Sequence, residues 1–366
     1  MILTFVIVVQ AIIFLGHWFL FRSFLFFFGW QGLKARLALR VVSTFLSVTF
    51  IFSTITVSAY SNWPVRWWYM FSTAWMGFFF LFFVAACLAR LFDYLGRLLT
   101  NRSRKKLLAS FFLGLAFILG VYGIVNSSRP RITNQVLRLP NIPEEWRGRK
   151  VVLVSDVHLG QIREEGFSRR TADLIKEQRP EVVFIAGDFY DGVAADLARL
   201  TAPFADIDPY LGTYFVTGNH EEFSDSTVYA NEIRSSGIRL LEDEKINMGG
   251  MQIIGVDYSN SSSPESFRSI LKKMGINKDK PSILIKHSPA NYAIAAEEGV
   301  SLQLSGHTHA GQIFPINFIT SLVYQGHDYG LTRVGEMQII TSSGAGTWGV
   351  PMRIGTIPEI VVIRFE

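Results

Sequence analysis

Four long stretches without a charged side chain limit what the first third of this chain can fold into: residues 1–21, 41–60, 67–89 and 107–126. A bilayer's hydrocarbon takes about 20 apolar residues in helical form. A helix satisfies its own backbone there, which an irregular segment cannot do. The first stretch has no basic leader and no small-residue cleavage site, and three more follow it, so a span is expected and not a signal peptide. A multi-pass region over residues 1–126 is expected.

Lys and Arg in the connections give the orientation. Arg22, Lys34, Arg36 and Arg40 follow the first stretch, and Arg90, Arg97, Arg102, Arg104, Lys105 and Lys106 follow the third. The second connection has only Arg66, flanked by Trp63, Trp67 and Trp68, residues that suit an interfacial aromatic belt. The positive-inside rule then puts the first and third connections in the cytoplasm. Both termini are expected on the outer side of a cell membrane, although Arg129, Arg131 and Arg138 pull the other way. The net charge of +5 is therefore read as membrane topology. No basic groove interleaved with aromatics supports nucleic-acid binding. His17 in the first stretch has no acidic partner in a neighbouring one and is expected to pack between helices. Cys87 is the one cysteine, which excludes an internal disulfide and a thiolate metal site.

From residue 127 the character changes. Residues 127–148 carry prolines and polar residues with little periodicity and read as a linker with one edge strand. Residues 149–366 then repeat one pattern: a short β-branched or apolar run that ends in Asp, Asn or His. It occurs in KVVLVSDVHLG, EVVFIAGDFYDG, GTYFVTGNHEE, SILIKHSP and VSLQLSGHTHAG. Such runs are buried strands, and helices are expected between them at 164–178, 193–204, 226–236, 264–274 and 289–298. This alternation predicts an α/β layered domain. Gly249-Gly250 marks a hairpin, and EIVVIRF reads as a further strand, so the later portion is richer in antiparallel sheet. Strand ends are where open α/β sheets gather functional groups.

The residues at those ends are Asp156 and His158, Asp188 and Asp191, Asn219 and His220, His287, and His307 with His309. They include five of the seven histidines of the chain. Each group alone would suit an ordinary strand terminus, but five such groups in one domain point to a metal centre.

In this order, SDVHLG, GDFYDG, GNHEE, KHSP and GHTHAGQ resemble the calcineurin-like metallophosphoesterases, in a membrane-anchored branch found in bacteria. The resemblance covers about residues 148–366. It implies a two-sheet β-sandwich flanked by helices, with two divalent metals at the sheet edges. One metal would be held by Asp156, His158, Asp188 and His309, the other by Asp188, Asn219, His287 and His307, with Asp188 as the bridge. Oxygen and imidazole ligands without sulfur suit Mn, Fe, Zn or Co. Such a pair activates a bridging water, as hydroxide, for in-line attack on phosphorus. His220 would protonate the leaving group, and Asp191 would orient His220, or else cap the helix expected at 193–204.

Glu221, Gln161 and Gln312 are expected to hydrogen-bond the ligands, and His327 to be a surface-loop residue. Serine/threonine phosphatases of this superfamily carry Arg after the second Asp of GD-x-x-D. Here that position is Gly192, so protein-phosphatase activity is not expected. Four spans exceed what an anchor needs, which suggests a lipid-linked phosphomonoester, phosphodiester or pyrophosphate as substrate; the alternative is that the spans only tether or dimerise the enzyme. The competing class is a membrane sensor that binds ligand without turnover. Such domains usually lose ligands or the acid, and here all are present.

Overall fold

The computed structural model describes residues 2–60, 62–192, 195–223 and 226–366. The chain divides into two compact units, Met1–Val125 with Gly349–Met352, and Asn126–Trp348 with Arg353–Glu366.

The first unit contains α1 (Ile2–Phe28), α2 (Leu33–Ala59), α3 (Trp63–Thr100) and most of α4 (Lys105–Ser127), and these four are long and apolar enough to cross a membrane. The first expected span, 1–21, starts at Met1, which lies outside the described residues. The helices outrun the expected spans: α2 takes in Lys34, Arg36 and Arg40, and α3 continues past Ala89. Lys, Arg and Leu are good helix formers, so a charge ends the apolar stretch without ending the helix. Asn62 starts α3 by accepting the Val65 N–H at 3.2 Å, and Asn101 ends it in a left-handed conformation. Ala86, Ala89 and Ala109 are buried with Leu20 and Phe27, the small residues allowing close helix approach. His17 is a packing residue, as expected. Its Nδ1 donates to the Ile13 carbonyl at 2.8 Å, its Nε2 accepts from Trp75 at 3.0 Å, and its ring stacks on Phe79.

The second unit is built on two six-stranded sheets. The first has the order β1 (Arg131–Leu137), β12 (Glu359–Phe365), β2 (Lys150–Val154), β3 (Val182–Ala186), β4 (Thr213–Val216), β5 (Arg239–Leu240). Strands β2 to β5 are parallel, while β12 is antiparallel to β2 and parallel to β1. The second sheet has the order β10 (Gly330–Val334), β11 (Met337–Thr341), β9 (Leu302–Ser305), β8 (Ser282–Ile285), β7 (Met251–Gly255), β6 (Glu244–Met248). Its outer pairs β10–β11 and β6–β7 are antiparallel and its centre is parallel. Gly249-Gly250 makes the β6–β7 turn, with Met248 opposite Met251.

The central strands β2, β3, β8 and β9 are buried along almost their whole length because both faces are covered. Leu153, Phe184, Ile253, Ile285, Leu304 and Ile363 fill the space between the sheets. On the outer face of the first sheet, Val152, Val183 and Ile185 meet α5 (Glu165–Glu177), α6 (Leu197–Ala205) and α8 (Ser226–Ser235). On the second, Ile254, Leu284 and Ile339 meet α10 (Pro264–Met274) and α11 (Tyr292–Glu297). The short α7 (Asn219–Glu222), α9 (Tyr258–Ser262) and α12 (Ile316–Val323) were not expected from the sequence. The helix expected at 193–204 begins at Leu197, and residues 193–194 lie outside the described residues. Its cap is Asp196, which accepts the Arg199 N–H at 3.2 Å, and not Asp191. Helices thus cover the outside of a two-sheet sandwich, the architecture expected above.

Candidate metal centre

Every ligand-type residue singled out in the sequence lies just past the carboxyl end of a parallel strand. Asp156 and His158 follow β2, Asp188 follows β3, Asn219 and His220 follow β4, His287 follows β8, and His307 and His309 follow β9. The backbone there is bent unusually. Asp156, His158, Asp188, His307 and His309 all have positive φ, between 49° and 74°. Left-handed non-glycine residues cost energy and gather at functional sites. Gly306 lets the β9 turn enter the site, since a β-carbon there would fall 2.2 Å from an Asp156 carboxylate oxygen.

The side chains form two facing groups. In one, His158 Nε2 lies 3.1 Å from His309 Nε2, and His309 Nε2 lies 3.4 Å from Asp156 Oδ1. In the other, His307 Nδ1 lies 3.1 Å from His287 Nε2, which lies 3.0 Å from Asp188 Oδ2. The same Asp188 oxygen is 3.8 Å from His158 Nε2, so one carboxylate faces both groups. Paired imidazole nitrogens at this separation repel unless a proton or a cation lies between them. Asn219 Oδ1 is buried with no hydrogen-bond partner, and such an atom requires an explanation. These donors are the oxygen and nitrogen set that borderline divalent metals take, and within each group the candidate ligand atoms lie within 4.8 Å of one another. The residues present fit a pair of divalent cations.

The electrostatics agree. Burial disfavours a charge on His287, but the Asp188 carboxylate outweighs it and lifts its pKa to about 9. Burial and the His287 charge push His307 down to about 3. Burial also opposes the ionised form of Asp188, yet His287 and His158 hold it far below the ordinary carboxylate range. The carboxylates therefore favour positive charge in this space, raising the pKa of His158 as well as that of His287.

The outer ring nitrogens are anchored. His287 Nδ1 donates to the Ala186 carbonyl at 2.7 Å, which frees Nε2 to act as a ligand. His158 Nδ1 meets Asp191 Oδ1 at 3.2 Å. This revises the expected pairing: the Asp191 carboxylate serves His158, and its main-chain carbonyl accepts from His220 Nδ1 at 3.1 Å. The His220 main-chain N–H donates to Asp188 Oδ1 at 2.9 Å. Burial and then His158 lower the His220 pKa, against Asp188 and Asp191. Gly192 has φ 72°, and a β-carbon there would come within 3.0 Å of the His220 carbonyl oxygen, so no arginine suits this position.

Glu221 supports the site as expected. It is fully buried and accepts the main-chain N–H groups of Asp188, Tyr190 and Gly218 at 2.8 to 3.0 Å. Burial and Asp188 raise its pKa to about 7. Gln161 is buried. Gln312 differs from expectation: its amide donates to and accepts from the Trp348 main chain, at 3.0 and 2.9 Å. His327 meets Thr332 Oγ1 at 2.8 Å and packs on Tyr292.

Arg353 had no signal in the sequence. Its guanidinium is fully buried, approaches His309 Nδ1 at 3.1 Å, and donates to the His309 and Gly346 carbonyls at 3.3 and 2.7 Å. It fixes the loop that carries His309.

Beside the second group, the Tyr258 ring lies 5.8 Å from His287 and from His307. Its neighbour Asp257 accepts from Thr217 Oγ1 at 3.1 Å. Burial, then Asp243, raises the Asp257 pKa from 3.8 to about 7. Because the folded value is the higher one, the fold binds this proton more tightly than the unfolded chain does. Stability from this group is then present at low pH and lost as pH rises through that window. Asp257→Asn is expected to stabilise the protein by about 2 kcal/mol at about pH 8 and by little at about pH 4. Thermal unfolding at the two pH values measures this.

Comparison with known proteins gives the family. The model of the calcineurin-like phosphoesterases matches residues 149–311. A transmembrane protein with a metallophosphoesterase domain from Danio rerio is 32% identical over 307 residues, covering 78% of this chain and 69% of the relative. An uncharacterised metallophosphoesterase from Helicobacter pylori is 30% identical over 275 residues, covering 72% of each. Another, from Aquifex aeolicus, is 29% identical over 259 residues, covering 69% of this chain and 98% of the relative. The matched segment contains all the strand-end residues described above, and four apolar helices precede it. The chain is therefore a membrane-borne member of the calcineurin-like phosphoesterases, a family of metal-dependent hydrolases that use two divalent ions.

Proposed function

We propose that this protein hydrolyses a phosphoester carried by a lipid at the outer face of a cell membrane. One cation would be held by Asp156, His158, Asp188 and His309, the other by Asp188, Asn219, His287 and His307. The observation that carries this assignment is the single Asp188 oxygen set between the two imidazole groups. Mn, Fe, Zn or Co would suit the donors. When bound, the ions supply Lewis-acid polarisation of the phosphate and an acidified water for in-line attack.

The chain's own residues do the rest. Asp188 Oδ1 is held by the His220 N–H, which fixes the carboxylate's rotation. Because a carbonyl only accepts, His220 carries a proton on Nδ1 for Asp191. Its Nε2 is left to pass a proton to the leaving oxygen. Substrate phosphate adds negative charge beside this ring and favours the protonated form that burial disfavours. The outer-face placement rests on the Lys and Arg pattern of the helix connections.

The test is turnover of a nitrophenyl phosphate monoester and of the matching diester by purified full-length protein. Chelation is expected to abolish the rate and added Mn²⁺ to restore it, and the preferred ester gives the substrate class. Metal-loaded protein that turns over neither ester would overturn the proposal. A reporter fused after residue 366 tests the topology, since activity of the reporter only in the cytoplasm would reverse the assigned side.

A further inference from the structure

Helix α12 follows the His307–His309 loop directly, and none of its residues is buried. Phe318 is 65% exposed, Ile319 61%, Leu322 81% and Val323 63%. Phe314 and Trp348 are also exposed. Residues 310–327 contain no Asp, Glu, Lys or Arg. A water-facing helix of this composition has no reason to stay bare, and such patches mark interaction sites.

The second unit itself indicates what covers the patch. It begins at Asn126, so it includes the end of α4, the fourth apolar helix. Asn126 Nδ2 donates to the carbonyls of Arg353 and Thr356 at 3.1 and 2.9 Å. Thr356 Oγ1 and the Ile354 N–H both donate to the Gln312 carbonyl at 3.0 Å, and the Phe314 N–H donates to the Ile354 carbonyl at 2.8 Å. Gln312 in turn holds the Trp348 main chain. The end of a spanning helix is thus linked through a few hydrogen bonds to the foot of the exposed helix.

The patch is linked to the metal centre as well. Thr308, between the two site histidines, donates to the Asp328 carbonyl at 2.6 Å, and Asp328 Oδ2 accepts from Thr320 of α12 at 3.2 Å. The ring of Tyr324, at the end of α12, lies 6.3 Å from His307.

We propose that α12, with Phe314 and Trp348, docks into the interfacial layer of the bilayer that the four helices cross, and that the centre receives the phosphate of a lipid from that layer. An uncharged apolar helix with tryptophan at its side suits this depth. The docking stands on the membrane assignment alone, while the lipid substrate rests on the proposed phosphoesterase activity.

The experiment uses full-length protein reconstituted in phosphatidylcholine vesicles. With Cys87→Ala as background, a fluorophore is attached at Leu322→Cys, at Phe318→Cys, or at Tyr210→Cys as an exposed control. Lipids carrying a nitroxide on the acyl chain are expected to quench at least twofold more strongly at the first two positions than at the third. Equal quenching at all three overturns the docking. So does quenching at the first two only by a nitroxide on a second copy of the chain. This readout needs no turnover, so it stands or fails apart from the catalytic proposal.

The substrate half is read from vesicles containing phosphatidic acid or phosphatidylglycerol. The ratio of lipid to nitrophenyl turnover is expected to fall at least tenfold in Phe318→Ser with Leu322→Ser. An unchanged ratio overturns the link between docking and catalysis. Nitrophenyl turnover without turnover of either lipid overturns the lipid substrate, here and in the proposed function, and leaves only metal-dependent phosphoester hydrolysis standing.

Discussion

Asp188→Asn is expected to lower turnover of a nitrophenyl phosphate by at least about 10³-fold and to reduce bound metal. Asparagine keeps the shape. Its carbonyl oxygen can still accept the His220 N–H that holds Oδ1 in the native protein. The amide nitrogen must then take the place of Oδ2, which lies 3.0 Å from His287 and 3.8 Å from His158. A donor replaces the one acceptor that faces both groups, and the site loses its central negative charge. The same change removes the main cause of the raised His287 pKa, so the pKa of that buried imidazole should fall. Metal content by atomic emission, with initial rates on the same samples, measures both effects. Full metal occupancy with native turnover would remove Asp188 from its assigned role.

His220→Ala is expected to act differently. The contact between residue 220 and Asp188 is made by the main chain and survives the substitution. Bound metal should therefore stay at the native level while the proton donor is lost. A nitrophenolate departs readily without a proton, whereas an alkoxide does not. The variant should lose about 10²- to 10³-fold on an alkyl phosphate and much less on the nitrophenyl ester. Equal losses on both esters would point to a binding role for His220. Comparing kcat for the two leaving groups decides between them.

The sequence carried the site better than it carried the supports. Asp156, His158, Asp188, Asn219, His287, His307 and His309 were legible because each sits in a short polar motif after an apolar run, and strand ends are local features. Asp191 was placed in the right loop, but its spacing could not say which imidazole its carboxylate would meet; that depends on a left-handed turn at Asp188. Arg353 lies in an unremarkable stretch, and nothing local distinguishes a fully buried guanidinium from a surface one. Helices run past the expected spans, as α3 does beyond Ala89, because a charge ends an apolar stretch without ending a helix. The edge strand expected within residues 127–148 is β1, Arg131–Leu137, at the edge of the first sheet. Its pairing with β12 could not be read locally, because Thr133 and Glu359 meet across 226 residues of chain.

That distance has a consequence during synthesis. β1 follows α4 after only a few residues, so it is synthesised early, yet its neighbour in the sheet is β12. Until β12 has been made, β1 has no partner and β2 has one bare edge. Unpaired edges invite association with other chains, and pairing across so long a loop is slow. The nascent domain therefore passes through a stage in which its first strand is unpaired. Until the last strand is made, that edge is the part of the nascent domain most open to pairing with another chain.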